Sequence, residues 1–169
     1  QAQGAPKVER CPELGPPRER RRGVWSARVA RCPTMEGMDP LAVLAESRLL
    51  PLLTVRGGED LLGLARVLEE EGVGALEITL RTEKGLEALK ALRKSGLLLG
   101  AGTVRSPKEA EAALEAGAAF LVSPGLLEEV AALAQARGVP YLPGVLTPTE
   151  VERALALGLS ALKFFPAEP

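Results

Sequence analysis

From Met38 onward, short apolar runs alternate with longer stretches in which apolar residues recur every three or four positions. The short runs have the length and apolar continuity of strands that are buried on both faces, as in a parallel sheet. They lie at Leu49–Val55, Ala75–Leu80, Leu97–Ala101, Phe120–Val122, Tyr141–Leu142 and Ala161–Phe165. The pattern therefore predicts six strands separated by helices.

The longer stretches have the spacing of amphipathic helices. Leu61, Leu64 and Leu68 recur at helical intervals, and acidic residues crowd the helix starts, where they complement the positive end of the helix dipole. A short helix is also predicted over Pro40–Glu46, before the first strand. The later helices are expected to end at glycines, namely Gly72, Gly96, Gly117, Gly138 and Gly158. A strand–helix unit thus repeats every 20 to 24 residues.

Short, even strand–helix units predict an α/β fold of the TIM (β/α) barrel type rather than an open doubly wound sheet. No Gly-x-Gly-x-x-Gly segment follows the first strand, which argues against a dinucleotide-binding fold. A closed barrel needs eight strands, and the sequence supplies six before Pro169. We therefore expect a barrel truncated after the sixth strand, with two unpaired edges that favour aggregation or the binding of a hydrophobic dye.

Residues 1–37 differ in composition from the rest of the chain. They are rich in Arg, Pro and Gly and carry eight Lys/Arg against four Asp/Glu, whereas residues 38–169 carry thirteen against eighteen. They show no helical or strand period and no continuous apolar segment of a secretory signal. We expect a disordered basic extension, with translation starting at Met35 or Met38, followed by one domain over residues 38–169. The alternative is a basic arm that binds nucleic acid, against which the acidic body argues.

The composition excludes several classes of active site. The chain has no His and no Asn, and both cysteines, Cys11 and Cys32, lie in the N-terminal extension. Ser-His-Asp triads, Cys-His pairs and His-built zinc sites are therefore excluded, and proton transfer must come from carboxylates, lysines, tyrosine or water. Scarce Asn, Gln and Cys are typical of a heat-adapted source, although biased codon usage gives the same composition.

Two charged residues interrupt the apolar runs. Lys163 lies in the sixth run, where burial favours the neutral amine that can attack a ketone carbonyl and form an imine; the alternative is that its ammonium reaches water from an edge. Glu77 lies in the second run, where burial raises the pKa of its carboxyl group and suits it to proton transfer. The alternative for Glu77 is a buried ion pair with Arg81 or Lys163.

Other candidates follow the strand ends, where barrel enzymes carry their chemistry. Arg81 can bind a substrate carboxylate through its planar guanidinium group, unless it is an exposed loop arginine. Thr103 follows two glycines, which let backbone amides approach a ligand closely. Ser123–Gly125 and Pro143–Gly144 are similar turns, and all three segments also fit ordinary turns.

Five of these segments, in this order and at this spacing, resemble the 2-dehydro-3-deoxy-phosphogluconate aldolase / 4-hydroxy-2-oxoglutarate aldolase family. The resemblance covers residues 38–169, and its most specific part is the sequence Lys-Phe-Phe-Pro-Ala-Glu. The matching segments are Leu76–Thr82, Gly100–Val104, Ser123–Gly125, Pro143–Gly144 and Lys163–Glu168.

The resemblance implies a cytoplasmic class I aldolase, a lyase that needs no metal or organic cofactor and usually forms a homotrimer. Lys163 then matches the imine-forming lysine and Glu77 the general acid/base. The positions that contact the substrate are matched by Arg81, Thr103 and Pro124, and more loosely by Arg56. The family's phosphate-binding Gly-Gly and Gly-Ser turns, which follow strands seven and eight, are not in this chain.

The expected reaction is cleavage of 2-keto-3-deoxy-6-phosphogluconate to pyruvate and glyceraldehyde 3-phosphate, or of 4-hydroxy-2-oxoglutarate to pyruvate and glyoxylate. The expected partners are a small keto acid and copies of the same chain, without nucleic acid or membrane. Two alternatives remain open: a barrel isomerase or synthase that acts on a phosphorylated substrate without an imine, and an inactive truncated fragment.

Overall fold

The computed structural model describes residues 39–168, in which helices and parallel strands alternate. The helices are α1 Pro40–Ser47, α2 Leu61–Glu70, α3 Lys84–Leu92, α4 Pro107–Ala116, α5 Glu128–Arg137 and α6 Pro148–Ala156. The strands are β1 Leu52–Leu53, β2 Ala75–Thr79, β3 Leu98–Gly102, β4 Phe120–Ser123, β5 Tyr141–Val145 and β6 Lys163–Phe164. The extension predicted over residues 1–37 lies outside the described residues.

The six strands form one parallel sheet in the order β1-β2-β3-β4-β5-β6. Each strand pairs with the next one along the chain, with a helix between them, as in a β/α barrel. The predicted fold class is therefore confirmed. Within residues 39–168 the sheet is not closed, and β1 and β6 are its two edges.

The sheet has two different faces because successive side chains of a strand alternate between them. The outer face packs against helices α2 to α6 and buries Leu76, Ile78 and Leu121. The inner face carries Ala75, which joins a smaller cluster with Phe120 and with Val43 of α1. Helix α1 thus covers the amino-terminal end of the inner face, and the residues after Ala75 on that face lie toward the carboxyl end.

Polar side chains begin most of the helices and so fix where they start. Asp39, Asp60, Ser106 and Thr147 each accept a backbone N–H in the first turn of α1, α2, α4 and α6, respectively. Such a cap is worth about 1 kcal/mol because it satisfies a donor that has no partner within the helix. No helix within residues 39–168 is long and apolar enough to span a bilayer.

The structure differs from the sequence-based expectations in two places. Strands β1 and β6 are short and partly exposed rather than buried on both faces, with Leu52 46% and Phe164 63% exposed, because each is an edge of the described sheet. Helix α3 ends at Leu92 and not at Gly96. By contrast, Gly117 and Gly138 are left-handed C-caps as predicted.

Candidate active site

The two predicted catalytic residues face each other across the inner side of the sheet. Glu77 is the central residue of β2 and Lys163 the first residue of β6, yet Lys163 Nζ lies 3.6 Å from Glu77 Oε1. The Glu77 side chain is 5% exposed and that of Lys163 is 29% exposed. The fold therefore brings together an amine and a carboxyl group that are 86 residues apart in the sequence.

Burial gives the Glu77 carboxyl group an unusual environment. Loss of solvation raises its pKa, and the positive charges of Lys163 and Arg81 offset only part of that rise. Oε1 is buried without a hydrogen-bond partner, since 3.6 Å is an ion-pair distance and longer than a hydrogen bond. A carboxyl group with a raised pKa can both give and accept a proton closer to neutral pH than an ordinary glutamate.

Lys163 combines a partly apolar environment with access from solvent. The ring centroid of Phe165 lies 5.3 Å from Nζ, within the range of a cation–π contact. Because its side chain is 29% exposed, the amine can be reached by a small carbonyl compound. The edge position and the ion pair with Glu77, which were alternatives in the sequence, are thus both present.

The remaining predicted residues follow the carboxyl ends of neighbouring strands. Arg81 follows β2 and Pro124 follows β4, and both are exposed, whereas Thr103 follows β3 and is half-buried. Thr103 has φ 60°, a left-handed conformation that is rare and strained for a β-branched residue. Arg56 is exposed in the loop after β1, where its backbone N–H donates to Glu59 at 2.8 Å.

Tyr141 anchors the loop that carries Pro124. Its hydroxyl lies 3.2 Å from the N–H of Leu127 and 2.5 Å from Ser123 Oγ, and Ser123 donates to the carbonyl of Gly125 at 2.5 Å. The Tyr141 hydroxyl also lies 3.3 Å from the carbonyl of Gly125. Each hydroxyl has one proton to donate, so one of the two hydroxyls donates to the other and the second donates to Gly125. Burial raises the pKa of Tyr141, which keeps the phenol a donor.

Two hydroxyl contacts tie β1 to the end of β2. Thr54 and Thr79 hydroxyls lie 2.9 Å apart, and Thr82 donates to the carbonyl of Val55 at 2.6 Å. Sequence reasoning did not identify Thr54, Tyr141 or these links. The one available indication was chemical, because a buried tyrosine or threonine in an apolar run needs a hydrogen-bond partner.

The arrangement suits covalent catalysis on a carbonyl compound. An accessible amine can form a carbinolamine and then an imine with a ketone, and the neighbouring carboxyl group can move the protons that these steps require. Within residues 39–168 no three His, Cys, Asp or Glu side chains come together as ligands for a metal ion.

Comparison with known protein families and with curated proteins indicates one family. The model of the aldolase family described as "KDPG and KHG aldolase" matches residues 41–169. The 2-dehydro-3-deoxy-phosphogluconate aldolase of Treponema pallidum is 45% identical over 127 residues, which cover 74% of this chain and 60% of that protein. This chain thus spans about 60% of the length of the curated relatives it matches.

Solved structures agree with the sequence comparison. The 2-keto-3-deoxy-6-phosphogluconate aldolase of Zymomonas mobilis, solved with 3-phosphoglycerate, superimposes with a TM-score of 0.69 at 40% identity over 75% of this chain and 62% of that one. The KDPG aldolase of Legionella pneumophila, in which pyruvate was captured as a covalent carbinolamine, gives a TM-score of 0.70 at 37% identity over 77% and 64%.

Proposed function

Because the chain belongs to the KDPG and KHG aldolase family, we propose that it acts as a class I aldolase on 2-keto-3-deoxy-6-phosphogluconate, with Lys163 forming the imine. The observation that carries this proposal is the 3.6 Å approach of Lys163 Nζ to the buried carboxyl group of Glu77. The pair provides a nucleophile and a proton carrier on one face of the sheet.

The reaction begins when Lys163 attacks the keto carbon and forms a carbinolamine. Glu77 moves the protons that release water and leave a protonated imine, and it then takes the proton from the 4-hydroxyl group of the substrate. The bond between the third and fourth carbons breaks, and its electron pair passes to the imine. Glyceraldehyde 3-phosphate leaves, and the remaining enamine is protonated and hydrolysed to pyruvate, which frees Lys163.

The substrate carboxylate is the proposed ligand of Arg81 and Thr103. Arg81 follows β2, the strand that carries Glu77, and its positive charge opposes the effect of burial on the pKa of Glu77. Pro124 would line the pyruvate part of the site, and Arg56 would reach the substrate from the loop after β1. The absence of a cofactor, the homotrimer and the cytoplasmic location stay predictions from the family resemblance, and heat adaptation stays a prediction from composition.

4-Hydroxy-2-oxoglutarate is a second candidate substrate. The family model names both activities, and both substrates release pyruvate through the same imine. They differ only in the aldehyde, which is glyoxylate here. The pyruvate half of the site can therefore be tested without choosing between them.

Exchange of the methyl protons of pyruvate in heavy water tests this half of the site. Exchange requires an imine, which acidifies the methyl group, and a base that removes the proton. We expect the chain to catalyse it, Lys163→Met to abolish it and Glu77→Gln to slow it strongly, whereas Lys84→Met, an exposed lysine of α3, should not change it. A barrel isomerase or synthase without an imine, or an inactive fragment, predicts no exchange that depends on Lys163.

A further inference from the structure

Strand β3 has no side chain on the inner face beyond Leu98. Leu98 belongs to the inner cluster, and the next two residues on that face are Gly100 and Gly102. Neither glycine has a positive φ. Backbone conformation is therefore not the reason for glycine at these positions, and the reason must lie in what occupies the space above them.

Side chains from both neighbouring strands fill that space. A Cβ atom at Gly100 would overlap the ring of Phe120, which extends from β4, and would lie 2.7 Å from its Cε1. A Cβ atom at Gly102 would overlap Glu77 Oε1, which extends from β2, and would lie 2.7 Å from its Cδ and 2.8 Å from its Cγ. The two glycines thus hold an aromatic ring and a carboxyl group over the backbone of β3.

The register of the sheet explains why Glu77 lies over the second glycine. Glu77 pairs with Gly100, and Thr79 pairs with Gly102. The space next to Glu77's own partner is taken by Phe120, so the carboxyl group extends along the strand to the space over Gly102. That direction leads toward the carboxyl end of the sheet, where the Nζ of Lys163 lies 3.6 Å away.

We propose that Gly102 is a positioning residue for the aldolase reaction, because the missing side chain creates the slot that holds the Glu77 carboxyl group beside Lys163. The slot is the space bounded by the backbone of Gly102 and the Phe120 ring over Gly100. The inference rests on the proposed function for its catalytic consequence, but the contact between Gly102 and Glu77 belongs to the structure alone. Gly102 acts on the reaction only through Glu77.

Gly102→Ala tests the slot directly. The new methyl group must displace the Glu77 carboxyl group, and a displacement of about 1 Å in a reacting group can cost roughly 100-fold in rate. We expect a loss of that order in pyruvate proton exchange. Gly74→Ala, immediately before β2, is the control, because its Cβ atom would lie 3.5 Å from Val43, an ordinary contact. In this variant pyruvate proton exchange should stay at the wild-type rate.

Glu77→Ala distinguishes a specific effect from general damage to packing. Alanine lacks the Cγ, Cδ and Oε1 atoms that the new methyl group would meet, so Gly102→Ala and Glu77→Ala together relieve the overlap that Gly102→Ala creates. We expect the double variant to melt at a higher temperature than Gly102→Ala alone, and the changes in unfolding free energy to be non-additive. Gly100→Ala, which meets Phe120 and not Glu77, should show no such rescue by Glu77→Ala.

The outcomes separate the slot from the proposed chemistry. The slot is wrong if the wild-type chain exchanges pyruvate protons and Gly102→Ala exchanges them at the same rate. It is also wrong if Glu77→Ala rescues Gly100→Ala as well as Gly102→Ala, or if the double variant fails to fold. If the stability coupling is found but the wild-type chain exchanges no pyruvate protons, the slot stands, and both the aldolase function and the catalytic role of Gly102 fail.

Discussion

At the scale of single residues, Glu77 has the most unusual environment in the described chain. It is a carboxyl group within a strand whose five residues are all buried, and one of its oxygens has no hydrogen-bond partner. A solvated glutamate would be a poor proton donor at neutral pH. The burial that weakens the fold at this position is therefore what suits Glu77 to the proposed proton transfers.

Glu77 should make the protein lose stability as pH rises. Its pKa is higher in the folded chain than in the unfolded chain, so its contribution is fully present below the unfolded value of about 4.3 and is lost as pH rises through the raised folded value. Glu77→Gln does not titrate. The free energy of unfolding is measured with urea at a series of pH values for the wild type and for Glu77→Gln. The value of the wild type minus that of the variant should fall as pH rises. A constant or rising difference would show that the carboxyl group is not desolvated.

The two main candidates could be found from the sequence, because Lys163 and Glu77 are charged residues within runs of otherwise apolar residues. The sequence could not show that they meet. Alternation places side chains on a face of one strand, but the distance between strands β2 and β6 depends on the order and curvature of the whole sheet. The left-handed φ of Thr103 was equally inaccessible, since no residue type predicts it at that position.

At the scale of elements, carboxylates near the helix starts hold the loops at the carboxyl end of the sheet. Glu59 accepts the N–H groups of Arg56 and Gly57, and Glu150 accepts those of Leu146 and Thr147. The loop that carries Arg56 and the loop after β5 are thus each fixed by a glutamate at the start of the helix that follows. The sequence analysis assigned acidic residues at helix starts to the helix dipole. Their second role, as hydrogen-bond acceptors for the preceding loop, depends on side-chain geometry.

Glu150 should affect stability in the opposite direction to Glu77. Hydrogen bonds from the N–H groups of Thr147 and Leu146 lower its pKa, so its contribution is present above the unfolded value and is lost as pH falls through the lowered folded value. In Glu150→Gln the melting temperature should therefore fall less than in the wild type as pH is lowered. Thermal melts between about pH 3 and pH 7, a range that brackets the unfolded value, measure this difference. Glu152→Gln, an exposed glutamate of the same helix, is the control, and an equal effect of both variants would contradict the assignment.

The Tyr141 network should stabilise the β4–α5 loop measurably. Tyr141→Phe keeps the ring but removes the partner of Leu127 N–H and Ser123 Oγ, and an unsatisfied buried group costs about 1–3 kcal/mol. We expect a loss of that size in urea unfolding. Ser123→Ala in the Tyr141→Phe background should cost less than Ser123→Ala alone, because the two side chains belong to one network; additive losses would show that they act independently.

Register explains why these links were not predicted. The strands β2 to β5 could be predicted from their apolar runs, but Ser123 meets Tyr141, and Thr54 meets Thr79, across different strands. A single sequence gives the alternation within each strand and not the pairing between strands. The end of α3 was wrong for a related reason: the helix already ends in a turn in which Ser95 N–H donates to the carbonyl of Leu92, before Gly96 is reached.

At the scale of the whole molecule, the described sheet presents apolar side chains along both edges. Leu49 and Leu52 near β1 are 66% and 46% exposed, and Phe164 in β6 is 63% exposed. Exposed strand edges with apolar side chains favour association with other chains. We therefore expect association with other chains to begin at these edges.

The 169-residue chain should bind a hydrophobic dye at these edges. We expect enhanced fluorescence of such a dye at neutral pH, and less of it for Phe164→Ser, which removes the most exposed apolar side chain of β6. Leu155→Ser is the matched control, because Leu155 is 52% exposed but lies on a helix, α6, and not on an edge strand. A monodisperse chain with a cooperative melt and no dye binding would mean that the edges are covered in solution.

The proposed chemistry is tested most directly by reducing the chain with borohydride in the presence of pyruvate. Reduction converts an imine into a stable secondary amine, so we expect one pyruvate-derived adduct per chain, located on Lys163 by peptide mass spectrometry and lost in Lys163→Arg. Lys84→Arg should retain the adduct. No adduct, or an adduct on a different lysine, would contradict the assignment of Lys163 as the imine-forming residue.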